Sequence, residues 1–205
     1  MPIEAAGLLA DYLRDNAVKI SGITAQERIC KAFMRAYGGR FTLGSAMDIM
    51  VLEELIEPKA CAGRARKSTI DDLELILSWK LAFYREVLNQ EPSLESLRER
   101  NTNSVAGGII SLWEVDGTPV AMAETTRQMA HGTSVSSVYT LPEHRGHGYA
   151  QNVVATICRG KLGQGNRYCT LFVNKKNPVS NKAYKNIGFK ILEDAFEYKL
   201  DGDAQ

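Results

Sequence analysis

The most constraining feature of this 205-residue sequence is a turn, rich in glycine and basic residues, between a strand-like and a helix-like segment. The turn reads Pro142-Glu-His-Arg-Gly-His-Gly-Tyr-Ala150. Gly146 and Gly148 permit positive φ and lack the Cβ atoms that would hold a ligand away. The N–H groups that open the next helix lie at the positive end of its dipole, which suits a pyrophosphate. The alternative is a tight turn that binds nothing.

Positive charge is concentrated around this turn. The chain has a net charge of only +1, but residues 140–190 contain nine Lys and Arg side chains and a single acid, Glu143. A nucleic-acid-binding protein usually spreads its charge over a whole face, and no aromatic cluster is interleaved with the charge here. The concentration therefore favours a compact polyphosphate over nucleic acid. A solvated basic surface is the alternative.

Several other ligand classes fit the sequence poorly. No GK[ST] follows the turn, which excludes a Walker A loop, and no βαβ repeat precedes it, which excludes a Rossmann fingerprint. The three histidines, at positions 131, 144 and 147, lack a completing cluster of cysteines or carboxylates, so we expect no metal. No apolar run approaches the ~18 residues of a membrane span, so we expect no membrane partner.

Two motifs together resemble the GCN5-related N-acetyltransferase (GNAT) family. The family's acetyl-CoA loop, Arg/Gln-x-x-Gly-x-Gly/Ala, is matched from Arg145 to Ala150. A second family motif, Asn-x-x-Ser/Ala-x-x-x-Tyr-x-x-x-Gly-Phe, is matched from Asn177 to Phe189. The resemblance covers residues 60–200. It implies an α/β (α+β) fold with a mixed, mostly antiparallel central sheet flanked by helices, and acetyl-CoA as co-substrate.

The resemblance also assigns residues to acetyl-CoA. The backbone of the strand before the turn binds the pantetheine arm, the turn binds the pyrophosphate, and the second motif lies along the arm, with Lys185 adding positive charge. The expected cofactor-binding residues are Val138, Tyr139, Thr140, Arg145, Gly146, His147, Gly148, Tyr149, Ala150, Gln151, Asn177, Ser180, Tyr184 and Lys185.

Two residues are predicted to be catalytic. Acyl transfer by direct attack in a ternary complex needs a neutral amine and a proton for the leaving thiolate. Tyr184 can supply that proton, unless it is only a half-buried core aromatic. Glu124 interrupts an apolar strand and can act as the base if it faces a partly dry cleft. The alternative is a solvent-facing strand residue. Tyr139 either lines the amine site or packs in the core.

The sequence predicts three regions. Residues 1–59 form a small N-terminal extension with helices over 4–16 and 24–37, the second opened by a Thr24–Glu27 capping box, and a strand over 46–55. It resembles the degenerate second module that precedes the working one in some acetyltransferases. Residues 60–200 form the GNAT domain, with a long helix over 71–90 and a hairpin at Asp116-Gly117. Residues 201–205 form a tail.

Cysteine usage points to a reducing compartment. Four cysteines without a CxxC pair lie in apolar contexts, and the N-terminus makes a poor signal peptide, so we expect reduced thiols and a cytoplasmic protein. The sequence thus predicts an acetyl-CoA-dependent N-acetyltransferase acting on an unidentified primary amine. A non-catalytic acyl-CoA-binding module is the alternative, and homodimer formation stays open.

Overall fold

The computed structural model describes residues 1–201, so the predicted tail falls outside the described residues except for its first residue. The chain divides into two compact units. The first unit contains residues 1–50 and 172–181, and resumes at Lys190. The second unit contains residues 51–171 and 182–189. Strand β7 (Tyr168–Asn174) and helix α6 (Pro178–Asn186) contribute residues to both units.

A mixed β-sheet forms the framework of the second unit. Its strands follow the order β3-β4-β5-β6-β7. Strands β6 and β7 are parallel and are joined through helix α5 (Tyr149–Gly163), whereas the other neighbours are antiparallel. This confirms the predicted mixed, mostly antiparallel sheet flanked by helices. The bounds of the other strands are β3 (Arg64–Lys67), β4 (Ile110–Val115), β5 (Thr118–Gln128) and β6 (Gly132–Thr140).

Helices cover the two faces of this sheet. Helices α3 (Leu73–Phe83) and α4 (Leu94–Ala106) enclose an apolar core on one face. Side chains alternate along a strand, so Ser111 and Thr125 lie on the opposite face, which α5 covers. The buried residues of the α3–α4 core are Ile76, Trp79, Val105, Ile110, Leu112, Met122 and Tyr139.

The predicted hairpin is confirmed, and the segment predicted as a long helix is helical over most of its length but is not one regular α-helix. Asp116 and Gly117, with φ of 48° and 79°, form the turn between β4 and β5. Residues 71–90 instead contain the end of a 3₁₀ turn, the helix α3 and a π-helical segment, Tyr84–Leu88. The 3₁₀ turn forms because Asp72 and Thr69 make a capping box.

The first unit has its own helical pair and antiparallel strands. Helices α1 (Ile3–Asp15) and α2 (Glu27–Tyr37) bury Ala6, Ala10, Ile29 and Phe33. Its strands follow the order β1-β8-β2, where β1 is Gly22–Ala25, β2 is Phe41–Leu52 and β8 is Lys190–Leu200.

Strand β1 overturns one prediction for the first unit. The capping box at Thr24 is wrong, because Thr24 pairs with Glu197 of β8 and α2 begins only at Glu27. The strand predicted over residues 46–55 belongs to β2, which starts earlier and ends at Leu52. Both differences come from pairing with chain segments that are far away in sequence.

The cysteines are free thiols, as predicted. Cys30, Cys158 and Cys169 are buried, whereas Cys61 is only partly covered. Within residues 1–201, no helix combines the length and apolar character needed to cross a lipid bilayer.

Candidate active site

The turn between β6 and α5 has the open backbone that the glycines suggested. Gly146 and Gly148 both have φ of +84°, in the left-handed region. In the described part of the chain, a Cβ on Gly146 would meet no atom within 4 Å, and one on Gly148 would lie 3.7 Å from Asn152 Nδ2. Backbone conformation, not crowding, therefore requires glycine here. Helix α5 starts directly after Gly148, so its first N–H groups lack intrahelical partners.

Arg145 binds side chains of its own chain. Its Nε donates to the Thr140 carbonyl at 3.1 Å, a terminal nitrogen lies 2.6 Å from a Glu86 carboxylate oxygen, and its guanidinium lies over the Tyr139 ring. The other Glu86 oxygen accepts a 2.8 Å hydrogen bond from the Tyr139 hydroxyl. Glu86, in the π-helical segment, thus joins both residues, which sequence reasoning had assigned to the cofactor.

This cluster shifts the pKa values of its members. Burial opposes the charge on Glu86, but the hydrogen bonds from Arg145 and Tyr139 outweigh it and lower the Glu86 pKa. Burial, followed by the Glu86 hydrogen bond, raises the pKa of Tyr139 to about 12. Tyr139 is 5% exposed and packs in the α3–α4 core, so its ring belongs to the core while its hydroxyl meets the cluster.

Other turn residues stiffen the start of α5. The His147 ring stacks on Tyr149 with centroids 5.5 Å apart, and His147 Nδ1 lies 3.2 Å from the His144 carbonyl. Gln151 donates a 2.8 Å hydrogen bond to the carbonyl of Ala183, the residue before Tyr184. The turn is therefore tied to the segment that carries the predicted proton donor.

Strand β6 carries a bulge just before the turn. Met122 pairs with Tyr139 but Glu124 pairs with Ser136, so β6 has one extra residue here, and Ser137 has φ of +48°. The parallel pairing with β7 runs from Gly132 to Val135 and stops at the bulge. Residues 138–140 lie beyond this paired part.

Thr140 carries an unsatisfied hydroxyl at the end of β6. Its buried Oγ1 has no hydrogen-bond partner among residues 1–201. Buried polar atoms usually have a partner, so this hydroxyl is suited to a ligand that runs along the end of the strand. The observation fits the predicted cofactor arm, and the open glycine turn next to it fits the predicted pyrophosphate.

Tyr184 is 8% exposed and packs edge to face against Phe189, with ring centroids 6.0 Å apart. Burial raises its pKa, because the phenolate would lose its hydration. The hydroxyl therefore keeps its proton at neutral pH, which is the state that a proton donor needs. Lys185 beside it is exposed.

Asn177 and Ser180 belong to the first unit, and the turn residues belong to the second. Asn177 Oδ1 accepts a 3.0 Å hydrogen bond from the Ser180 N–H, which caps α6. The structure thus gives Asn177 a local role in starting this helix.

Glu124 lies in a buried ion pair that sequence reasoning missed. It is 8% exposed, so the solvent-facing alternative does not hold. One carboxylate oxygen lies 2.7 Å from Lys80 Nζ, and the other accepts a 2.6 Å hydrogen bond from Ser137 Oγ. Lys80 interrupts the apolar face of α3 much as Glu124 interrupts β5. The sequence signal for this pair is that Lys80 and Glu124 carry opposite charges and each interrupts an otherwise apolar segment.

No group of three or more His, Cys, Asp or Glu side chains in the described chain is placed to hold a metal ion. Hydroxyl, carboxylate, ammonium and backbone groups gather at the end of β6 and at the turn.

Comparison with known proteins agrees with this architecture. An acetyltransferase from the GNAT family of Colwellia psychrerythraea aligns with a TM-score of 0.69 and 13% identity, over 97% of this chain and 72% of that protein. A GCN5-related N-acetyltransferase from Kribbella flavida aligns with a TM-score of 0.62 and 19% identity, over 88% of this chain and 68% of that protein. A ribosomal-protein-alanine N-acetyltransferase from Brucella melitensis aligns with a TM-score of 0.52 and 18% identity, over 67% of this chain and 99% of that protein. At these identities the likeness concerns the fold alone.

The bulged β6 and the glycine turn that follows it are thus part of an acetyltransferase fold. The acetyltransferase (GNAT) family model matches residues 73–189, more than half of the sequence, and the chain belongs to this family. A search of curated proteins found no match.

Proposed function

We propose that this protein transfers the acetyl group of acetyl-CoA to a primary amine by direct attack within a ternary complex. The observation that carries the proposal is the continuity of the bulge at Ser137, the unsatisfied hydroxyl of Thr140 and the open turn at Gly146 and Gly148. An extended polar arm that ends in a pyrophosphate would meet these features in that order. Acetyl-CoA, when bound, supplies the activated acetyl group as a thioester.

The backbone of Val138, Tyr139 and Thr140 binds the arm, and residues 145–151 bind the pyrophosphate through the start of α5. Arg145 reaches the phosphates by exchanging the Glu86 carboxylate for them, while the Tyr139 hydroxyl keeps its hydrogen bond to the other Glu86 oxygen. Asn177 and Ser180 contact the arm, and the exposed Lys185 contributes positive charge.

Tyr184 donates the proton that the departing thiolate needs. Its burial supports this role, because the raised pKa keeps the phenol protonated until a strong base forms beside it. The bond between Gln151 and Ala183 holds this segment against the start of α5.

Glu124 accepts the proton of the attacking amine by way of Ser137. The Ser137 hydroxyl already donates to Glu124, so it can take the amine proton while its own proton passes to the carboxylate. Lys80 holds the other carboxylate oxygen and fixes the orientation of the group.

A non-catalytic acyl-CoA-binding protein is the second candidate. The observation that favours it is that both Glu124 oxygens have partners inside the protein, as in a purely structural ion pair. In that case the fold binds the thioester but lacks a group free to accept the amine proton.

We further propose that residues 60–200 carry the reaction and residues 1–59 form an extension. The match of the family model to residues 73–189 supports this division, because it lies wholly within the proposed catalytic part.

A panel of primary amines with acetyl-CoA tests the function. Release of free CoA thiol should depend on both the amine and the protein, and the acetylated amine should be found by mass spectrometry. Acetyl-CoA binding in calorimetry with no turnover of any amine favours the binding protein. Absence of both binding and turnover rejects the two candidates together.

A further inference from the structure

A cavity lies on the face of the sheet that α5 covers. Its volume is about 440 Å³, which is within the range of small-molecule sites. Strands β3, β4 and β5 line it together with the second half of α5. Gly160, in its lining, is 12 residues along α5 from Gly148, or roughly 18 Å at the rise of an α-helix. The cavity is therefore separate from the glycine turn.

The lining of this cavity is positively charged. Lys67 and Lys161 both line it, no carboxylate does so in the described chain, and neither lysine has an ion-pair partner there. Arg66 also lines the cavity, but Asp72 and Glu114 hold its guanidinium at 2.8 and 2.7 Å. Burial, followed by the charge of Lys161, lowers the pKa of Lys67. Two lysines without an ion-pair partner therefore line the same cavity.

Polar groups without charge complete the lining. Lys67 Nζ donates a 3.3 Å hydrogen bond to Ser111 Oγ, which leaves the Ser111 proton for another acceptor. The Thr125 hydroxyl also lines the cavity and offers a further donor. These hydroxyls can donate to the same oxyanion that the lysines attract.

Gly160 keeps the cavity open. Glycine in a helix is less favourable than alanine. A Cβ on Gly160 would meet no atom within 4 Å in the part of the chain that the structure describes. Packing therefore does not require the missing side chain, and the space above Gly160 is available to a ligand.

We propose that this cavity binds a small organic anion, with its phosphate or carboxylate group held by Lys67 and Lys161 and its apolar part against Ile109 and Ile157. The site is additional to the acetyl-CoA site, and it does not depend on the proposed reaction. Thr125 follows Glu124 directly on β5, so the ligand would contact the strand that carries the ion pair from the opposite face.

Pyridoxal 5′-phosphate is a suitable probe of this site. Its phosphate group needs the positive charge of the lysines. Its aldehyde condenses with a neutral lysine, which forms an imine and releases water. Borohydride then reduces the imine to a stable amine, so that the labelled lysine can be found by peptide mapping. We expect Lys67 to be labelled at lower probe concentrations than the exposed Lys182. Lys161→Gln should weaken the labelling of Lys67 about tenfold or more, the usual loss for one charged hydrogen bond. Lys182→Gln, the matched control, should leave it unchanged.

Competition distinguishes the two anion classes. Protection of Lys67 by inorganic phosphate indicates a phosphate ester, and protection by hexanoate indicates a carboxylate. Gly160→Leu should abolish labelling by filling the space, provided that its melting curve shows a folded protein; otherwise Lys161→Gln decides. Labelling of Lys67 no stronger than that of Lys182, or unaffected by Lys161→Gln, overturns the proposal.

Discussion

Replacing Glu124 by Gln perturbs folding as well as catalysis, because Glu124 is half of a buried ion pair. The side chains of Lys80 and Glu124 are 5% and 11% exposed. Removing one partner leaves the other charge buried and unpaired, which costs about 3–5 kcal/mol. At roughly 2–4 °C per kcal/mol for a chain of this size, Glu124→Gln should melt about 6–20 °C lower.

A double-mutant cycle separates the pair from its surroundings. Lys80→Met alone should destabilise the protein to a similar extent, because it leaves the Glu124 carboxylate buried without a partner of opposite charge. The double variant Lys80→Met/Glu124→Gln should recover most of the loss, since no unpaired charge stays buried. Urea unfolding of the four proteins gives the coupling free energy. If the two single losses in the free energy of unfolding simply add in the double variant, the two charges do not stabilise each other.

The same double variant then tests the proton path. It restores the fold but cannot accept a proton, so kcat should fall while acetyl-CoA affinity is kept. Ser137→Ala should lower kcat without breaking the ion pair. A stable double variant with full kcat would reduce Glu124 and Lys80 to a structural pair, with solvent taking the amine proton.

Three further predictions concern the turn and its neighbours. Gly148→Val should abolish acetyl-CoA binding in calorimetry, whereas Gly165→Val, with similar strain at φ of +92° outside the turn, should not. Tyr184→Phe should lower kcat ~10²-fold and leave the affinity for the cofactor unchanged. If kcat is unchanged, Tyr184 is a packing residue and not the proton donor. Tyr139 keeps its proton up to about pH 12 when folded, so its contribution to stability is full below its unfolded pKa and is lost as pH rises through 12. In an ultraviolet titration Glu86→Gln should lower that pKa; no change would refute the Glu86 contact.

Several features of the architecture can be predicted from residues that are close together in the sequence. The turn conformation at Gly146 and Gly148 and the hairpin at Asp116-Gly117 both depend on residues close in sequence, and the structure has each of them where it was predicted. Such features can be predicted because the conformation of glycine needs no distant partner.

Partners far apart in sequence could not be predicted. Lys80 meets Glu124 across 44 residues, and Arg145 meets Glu86 across 59. Strand β1 was read as part of a helix because its pairing with β8 is invisible to local periodicity. Side-chain partners depend on which strands and helices become neighbours, and a single sequence does not contain that information in any short window.

A crystal structure with CoA bound would show directly where the cofactor lies. We expect the pyrophosphate on the backbone N–H groups between Gly146 and Gln151, the pantetheine arm along residues 138–140 with a hydrogen bond to the Thr140 hydroxyl, and Arg145 moved from Glu86 to a phosphate. CoA bound elsewhere, or a Thr140 hydroxyl still without a partner beside an unchanged Arg145–Glu86 pair, would contradict this expectation.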